Sequence, residues 1–137
     1  MPIGYKVVKR LKNGDRVSNM VLKESGVRET YIHNGKPRIV PQGMVFSNYH
    51  DASCFGFISE GRELWKCQFS HSQHISKTLG LNDMVSLTKK QNLEALQSIQ
   101  FMRSRYSIVI DDKVYYFRYA PNGTLLAKNI ELLERLQ

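Results

Sequence analysis

The sequence predicts an α+β fold: an antiparallel β-sheet built from hairpins, with a short helix, a longer helix near 90–104 and a C-terminal helix. Three observations lead there. The turn-forming pairs Asn13-Gly14, Asn34-Gly35 and Asp111-Asp112 each stand between short apolar-rich stretches, the pattern of tight hairpins. Residues 62–69, RELWKCQF, alternate with the period of a strand. Residues 90–103 and 124–137 instead repeat apolar side chains at spacings of three and four, the period of a helix. Too few strands are separated by long helices for a parallel α/β sheet. The chain has 137 residues with no repeat, low-complexity tract or linker, so one domain spanning 1–137 is expected.

The elements follow in order. YKVVKRL and RVSNMVLK flank Lys12-Asn13-Gly14-Asp15. In the first of these strands Tyr5, Val7 and Lys9 share one face, and Lys6, Val8 and Arg10 the other. A second hairpin spans 30–40 around Asn34-Gly35. Its returning strand carries Pro37, which donates no hydrogen bond and so belongs at an edge. Pro41-Gln42-Gly43 should break the pattern. Ser47 or Asn48 is placed to cap a short helix in which Cys54, Phe55 and Ile58 share a side, ending at Gly61. In the strand over 62–69, Leu64, Lys66 and Gln68 point one way and Trp65, Cys67 and Phe69 the other. Residues 71–83 read as a loop by their Ser, Gly, Asn and Asp content. The helix that follows has Leu93, Leu96, Ile99 and Met102 on a stripe beside Ala95, with Arg103 and Arg105 at its C-terminal end. Thr124 is placed to cap a last helix with Leu126, Ile130 and Leu133 on one stripe.

Composition narrows the function. Apolar residues make up 42% and charged residues 23%, values of an ordinary globular chain. No apolar run approaches the roughly 20 residues that span a bilayer, and Lys6 interrupts any signal-peptide core. Two cysteines are too few for a disulfide framework, and a reduced, cytoplasmic setting is expected. The net charge of +8 points to a polyanionic partner. Residues 1–23 alone contribute +5.

RELWKCQFSHSQH brings Cys67 near His71 and His74 in sequence, with His50 and Cys54 upstream. Zinc would require about four ligands in tetrahedral geometry, and this spacing lacks the close ligand pairs of zinc modules. Alternation places Cys67 between Trp65 and Phe69, which suits a small core residue and not an exposed nucleophile. No metal, catalytic residue or cofactor is therefore expected. GxGxxG, P-loop and HExxH motifs are missing from the sequence.

VYYFRY is more informative. With Tyr115, Phe117 and Tyr119 inward, Tyr116 and Arg118 are presented together. An aromatic ring beside a guanidinium suits a stacked base and its phosphate. Arg103 and Arg105 precede this hairpin directly, so Arg103, Arg105, Tyr116 and Arg118 form the expected ligand site. A second cationic group, Lys6, Lys9, Arg10, Lys12 and Arg16, is the expected surface if the partner is nucleic acid.

The opening IGYKVVK, NGDRVS, PQGMVFSNYHDASCF and ELWKC resembles small bacteriophage-encoded proteins that begin with a Gly-Tyr-Lys strand. Among groups of known function it is similar to the Thoeris anti-defence sponges, phage proteins that bind signalling nucleotides without cleaving them. The resemblance covers the first half of the chain. It implies a homo-oligomer with ligand pockets at subunit interfaces, in the host cytoplasm. It supplies no site residue, because no ligand-contacting motif aligns.

The expected function is non-enzymatic binding of a phosphate-bearing ligand, in its concrete form sequestration of a signalling nucleotide by a phage counter-defence protein. The alternative is a protein that binds nucleic acid or a nucleoprotein, such as an inhibitor of a host nuclease complex. An enzyme that cleaves a nucleotide is the third reading.

Overall fold

A computed structural model describes residues 1–19, 26, 28–55, 61–101 and 106–137. In chain order the elements are β1 (Ile3–Arg10), β2 (Arg16–Ser18), β3 (Thr30–His33), β4 (Lys36–Pro37), β5 (Val40–Phe46), α1 (Tyr49–Phe55), β6 (Arg62–Gln68) and β7 (His71–His74). Then come β8 (Lys77–Thr78), α2 (Leu81–Ser86), α3 (Lys89–Phe101), β9 (Ser107–Ile110), β10 (Lys113–Tyr116), β11 (Arg118–Tyr119) and β12 (Thr124–Arg135). All strand pairs are antiparallel, and the fold is α+β. The chain packs as two compact units. The first is Met1–Asn19, Glu29–His74 and Pro121–Gln137; the second is Met20–Arg28 and Ile75–Ala120.

In the first unit β1, β5, β12 and β6 pair in that order, and β6 pairs back onto β1. Four strands therefore close a ring, which removes two sheet edges. β2, β3 and β4 extend the sheet from β1, and β7 pairs with β12 beyond the end of β6. Val8, Tyr31, Val45, Cys67, Phe69, Ile130 and Leu132 fill one core cluster. Val7, Phe46, Ala52 and Leu64 fill a second, where Phe55 of α1 packs on Phe46 with centroids 5.1 Å apart. The alternation read in 62–69 holds, since Leu64 and Cys67 lie in different clusters.

Turn chemistry sets the hairpins. The Asn34-Gly35 pair has φ of 51° and 75°, and Asp111-Asp112 has 51° and 64°, the left-handed values a two-residue hairpin turn requires. Pro37 sits in β4, the outermost strand of the sheet, as its missing N–H demands. Asn48 caps α1 by accepting the Asp51 N–H at 2.8 Å.

Several expectations are corrected. The C-terminal helix is instead β12, flanked by β5 on one side and by β7 and then β6 on the other. Leucine-rich helical spacing loses here to non-local pairing, because residues 124–127 are all buried. β12 turns at Asn129, where φ is 53°, and its register shifts between Leu132 and Glu134, devices that bend a strand around a closed ring. Pro41-Gln42-Gly43 does not break the chain but lies inside β5. The β5–β12 register runs from Thr124↔Phe46 to Ile130↔Val40 and skips Pro41, so its missing N–H interrupts no registered pair. The loop expected over 71–83 contains β7, β8 and the start of α2. Cys54, expected on the packed side of α1, is exposed, and Ala52 is buried in its place. Ile58 and Met102 lie outside the described residues.

Gly43 has a packing role. A Cβ there would stand 2.6 Å from the Tyr31 hydroxyl and 3.1 Å from Ile130 Cδ1, and both side chains are fully buried. Gly43→Ala is expected to lower stability by about 2 kcal/mol, the usual cost of an overpacked core. Urea denaturation checks it, with a lowered midpoint at unchanged slope.

The second unit has its own core of Leu79, Met84, Leu87, Ala95 and Tyr115, with Ile108, Ile110 and Phe117 alongside. α3 starts at a capping box: Thr88 Oγ1 accepts the Gln91 N–H at 3.2 Å, and Gln91 Oε1 accepts the Thr88 N–H at 2.9 Å. Its buried stripe runs through Asn92, Ala95 and Ile99, while Leu93 is exposed. The phase differs from the leucine spacing because the Asn92 amide donates to the carbonyls of Met84 and Leu87 at the end of α2.

Candidate functional site

A group of exposed aromatic and cationic side chains in the second unit follows from one interruption of pairing. β10 alternates, so Tyr115 is buried against the helices while Val114 and Tyr116 face out. At Phe117 the ladder stops, and its N–H donates to the Tyr106 carbonyl at 2.8 Å. The chain then pairs elsewhere, Arg118 with Thr78 and Tyr119 with Lys77. This step carries Tyr119 outward: expected in the core, it is 84% exposed, beside Tyr116 at 69% and Tyr106 at 68%. Tyr116 and Arg118 do emerge together. They line an open depression of about 430 Å³ with Asp83, Val114, Tyr115 and Phe117.

Arg118 has room because position 80 is glycine. A Cβ there would lie 2.7 Å from Arg118 Nε. No carboxylate among the described residues forms a salt bridge with Arg118. Close by, Lys77 Nζ lies 3.8 Å from the Tyr106 ring centroid, a cation–π contact. Tyr106 and Tyr119, like Tyr116, are exposed side chains of this unit. Arg103 and Arg105 lie outside the described residues.

The N-terminal cations do not form one surface. Lys6 is buried inside the first unit, where its Nζ donates to the Met44 carbonyl at 2.6 Å and sits 5.1 Å from the Tyr31 ring centroid. β1 and β5 pair at a single position, and the Lys6 ammonium bridges them where the backbones part. Burial drives its pKa down to about 8, against a smaller upward pull from Cys67. Burial likewise pushes the Cys67 thiol up to about 11, with Lys6 opposing. Arg10 and Arg16 turn to the Glu63 carboxylate. Lys9 and Lys12 remain exposed, Lys9 on the face of β1 opposite Arg10.

The Cys and His residues of 50–74 are not assembled. Cys67 is a core residue, and the exposed Cys54 Sγ lies 3.6 Å from His50 Nε2 one helical turn away. Among the described residues no group of three or more His, Cys, Asp or Glu side chains is placed to hold a metal. No described helix is long and apolar enough to cross a membrane.

Sequence reasoning missed the exposure of Tyr119, which follows from the break at Phe117, a feature without a sequence signature. It also missed Glu63, Trp65 and Arg135 as a cluster. Comparison with protein-family models, curated proteins and solved structures finds no match.

Proposed function

We propose that the protein binds a phosphate-bearing ligand at the Tyr116–Arg118 surface and does not transform it. The observation that carries this reading is the juxtaposition, on one depression, of the exposed Tyr116 ring with an Arg118 guanidinium that has no carboxylate partner among the described residues. A base stacks on Tyr116, and a phosphate takes paired N–H donors from Arg118, a geometry lysine does not offer. Asp83 on the same depression accepts from a sugar hydroxyl, which favours a nucleotide over a bare polyphosphate. In the concrete form the ligand is a signalling nucleotide, held by a phage-encoded homo-oligomer in the host cytoplasm.

Titration with adenosine diphosphate, followed by calorimetry, tests it. Arg118→Ala and Tyr116→Ala are each expected to weaken binding about tenfold, the scale of one lost guanidinium–phosphate contact or one lost stacking platform. Both side chains are exposed, so melting temperatures should stay unchanged. Equal affinity in parent and both variants overturns the reading. Salt separates it from binding along a nucleic acid: a polyanion loses affinity steeply as salt rises, because many counterions are released, whereas a nucleotide loses little.

A further inference from the structure

Glu63 gathers more positive charge than its burial requires. Its side chain is 1% exposed. Arg16 Nε and Trp65 Nε1 both donate to Oε1 at 3.0 Å. Oε2 receives Arg10 and Arg16 at 3.4 Å and Arg135 at 3.3 Å. Arg16 and Trp65 suffice to neutralise and desolvate this carboxylate. Arg10 and Arg135 nonetheless converge on it from β1 and β12, so that among the described residues three guanidinium groups share one side-chain carboxylate. Arg10 and Arg135 have side chains 45% and 49% exposed. Each is held to Glu63 by one terminal nitrogen, so further N–H donors stay open to solvent. Arg16 is further fixed by donating to the Gly14 carbonyl at 2.8 Å, and Arg135 by donating from Nε to a main-chain oxygen of Gln137 at 3.0 Å.

Like charges brought this close repel, and exposed pairs return little. A carboxylate beneath guanidinium groups does fix their orientation, as a clamp for a tetrahedral oxyanion requires. We propose that Arg10 and Arg135, aligned by Glu63 beside Arg16, form a phosphate-binding clamp in the first unit. It is independent of the Tyr116–Arg118 surface, whose residues all belong to the second unit. A phosphate group accepts from the exposed N–H donors of both arginines. The group comes either from a phosphate monoester or from the backbone of an oligonucleotide.

The test uses the full chain at low ionic strength with two probes: inorganic phosphate, followed by ³¹P line broadening, and a fluorescent oligothymidylate, followed by anisotropy. Arg10→Ala and Arg135→Ala are each expected to weaken binding about tenfold. Lys9→Ala, an equal charge loss on the opposite face of β1, should change it less than about twofold. Every variant is compared in the Arg118→Ala background, so that phosphate bound at the second unit's surface does not enter the readout. Arg10→Gln keeps the packing and a donor amide, and serves if Arg10→Ala melts early. Loss of both probes in the Arg10 and Arg135 variants identifies a backbone phosphate as the source; loss with inorganic phosphate alone identifies a monoester. The proposal is overturned if neither probe binds the Arg118→Ala protein, if adding either arginine substitution to it leaves binding as it was, or if adding Lys9→Ala weakens binding as much as they do.

Discussion

Glu63→Gln is expected to destabilise the protein by about 3 kcal/mol, the scale of removing one partner from a buried ion pair. Burial alone would raise the pKa of this carboxyl. Hydrogen bonds from Arg16 and Trp65, with the charges of Arg16 and Arg135, outweigh burial and hold it below the ordinary value of 4.5. Glutamine keeps the shape but not the charge, and it turns an amide donor toward guanidinium groups that are themselves donors. Arg16 suffers most, because its side chain is the least exposed of the three. A double-mutant cycle with Arg16→Gln isolates the pair, and a coupling above about 1 kcal/mol is expected for residues in one network. The pH dependence has a definite sign. A depressed folded pKa gives stability that is present above pH 4.5 and is lost as pH falls through the folded value. Chemical denaturation of parent and variant across pH 3 to 7 should show curves that converge at the acid end. A loss below about 0.5 kcal/mol at neutral pH would remove Glu63 as an organising residue.

Lys6→Met is expected to reverse a pH trend. The folded pKa of Lys6, about 8, lies below its ordinary 10.5. Between these values the unfolded chain holds the extra proton, so stability rises with pH across that window. The cost of keeping the ammonium buried is fully present below pH 8 and amounts to about 3 kcal/mol at 1.36 kcal/mol per unit. Cys67 acts oppositely. Its folded pKa of about 11 exceeds its ordinary 9, so its contribution falls as pH rises between them. The parent should therefore gain stability from pH 8 to 9, and Lys6→Met should not. Methionine matches the length of the lysine stem and leaves no charge in the core, so the variant should be the more stable at pH 7. Part of that gain is offset by the lost bond to the Met44 carbonyl. Equal pH slopes in parent and variant between pH 8 and 9 would show that the ammonium is solvated.

What the sequence revealed was local. Asn34-Gly35 and Asp111-Asp112 mark their turns because few residue pairs accept two left-handed conformations. Alternation in 62–68 sorts Leu64 from Cys67 because side chains on a strand have no other choice of face. The failures were non-local. Residues 124–135 carry helix-forming leucine, lysine and glutamate, yet strands on both flanks hold them extended. Lys6 reads as an exposed cation until ring closure puts β5 above it. Tyr116 and Arg118 were legible from alternation alone. Tyr119 was not, because the pairing partner changes at Phe117. The Glu63 cluster draws on residues 10, 16, 63, 65 and 135, and no window of sequence contains them together.

The most direct test of ligand binding is a ¹H–¹⁵N correlation spectrum of the labelled protein titrated with adenosine diphosphate. Saturable shifts centred on Tyr106, Tyr116, Phe117, Arg118 and Tyr119, and lost in Arg118→Ala, are the expected result. Shifts that do not saturate, or that spread evenly over exposed lysines and arginines while residues 106–119 stay still, would contradict it.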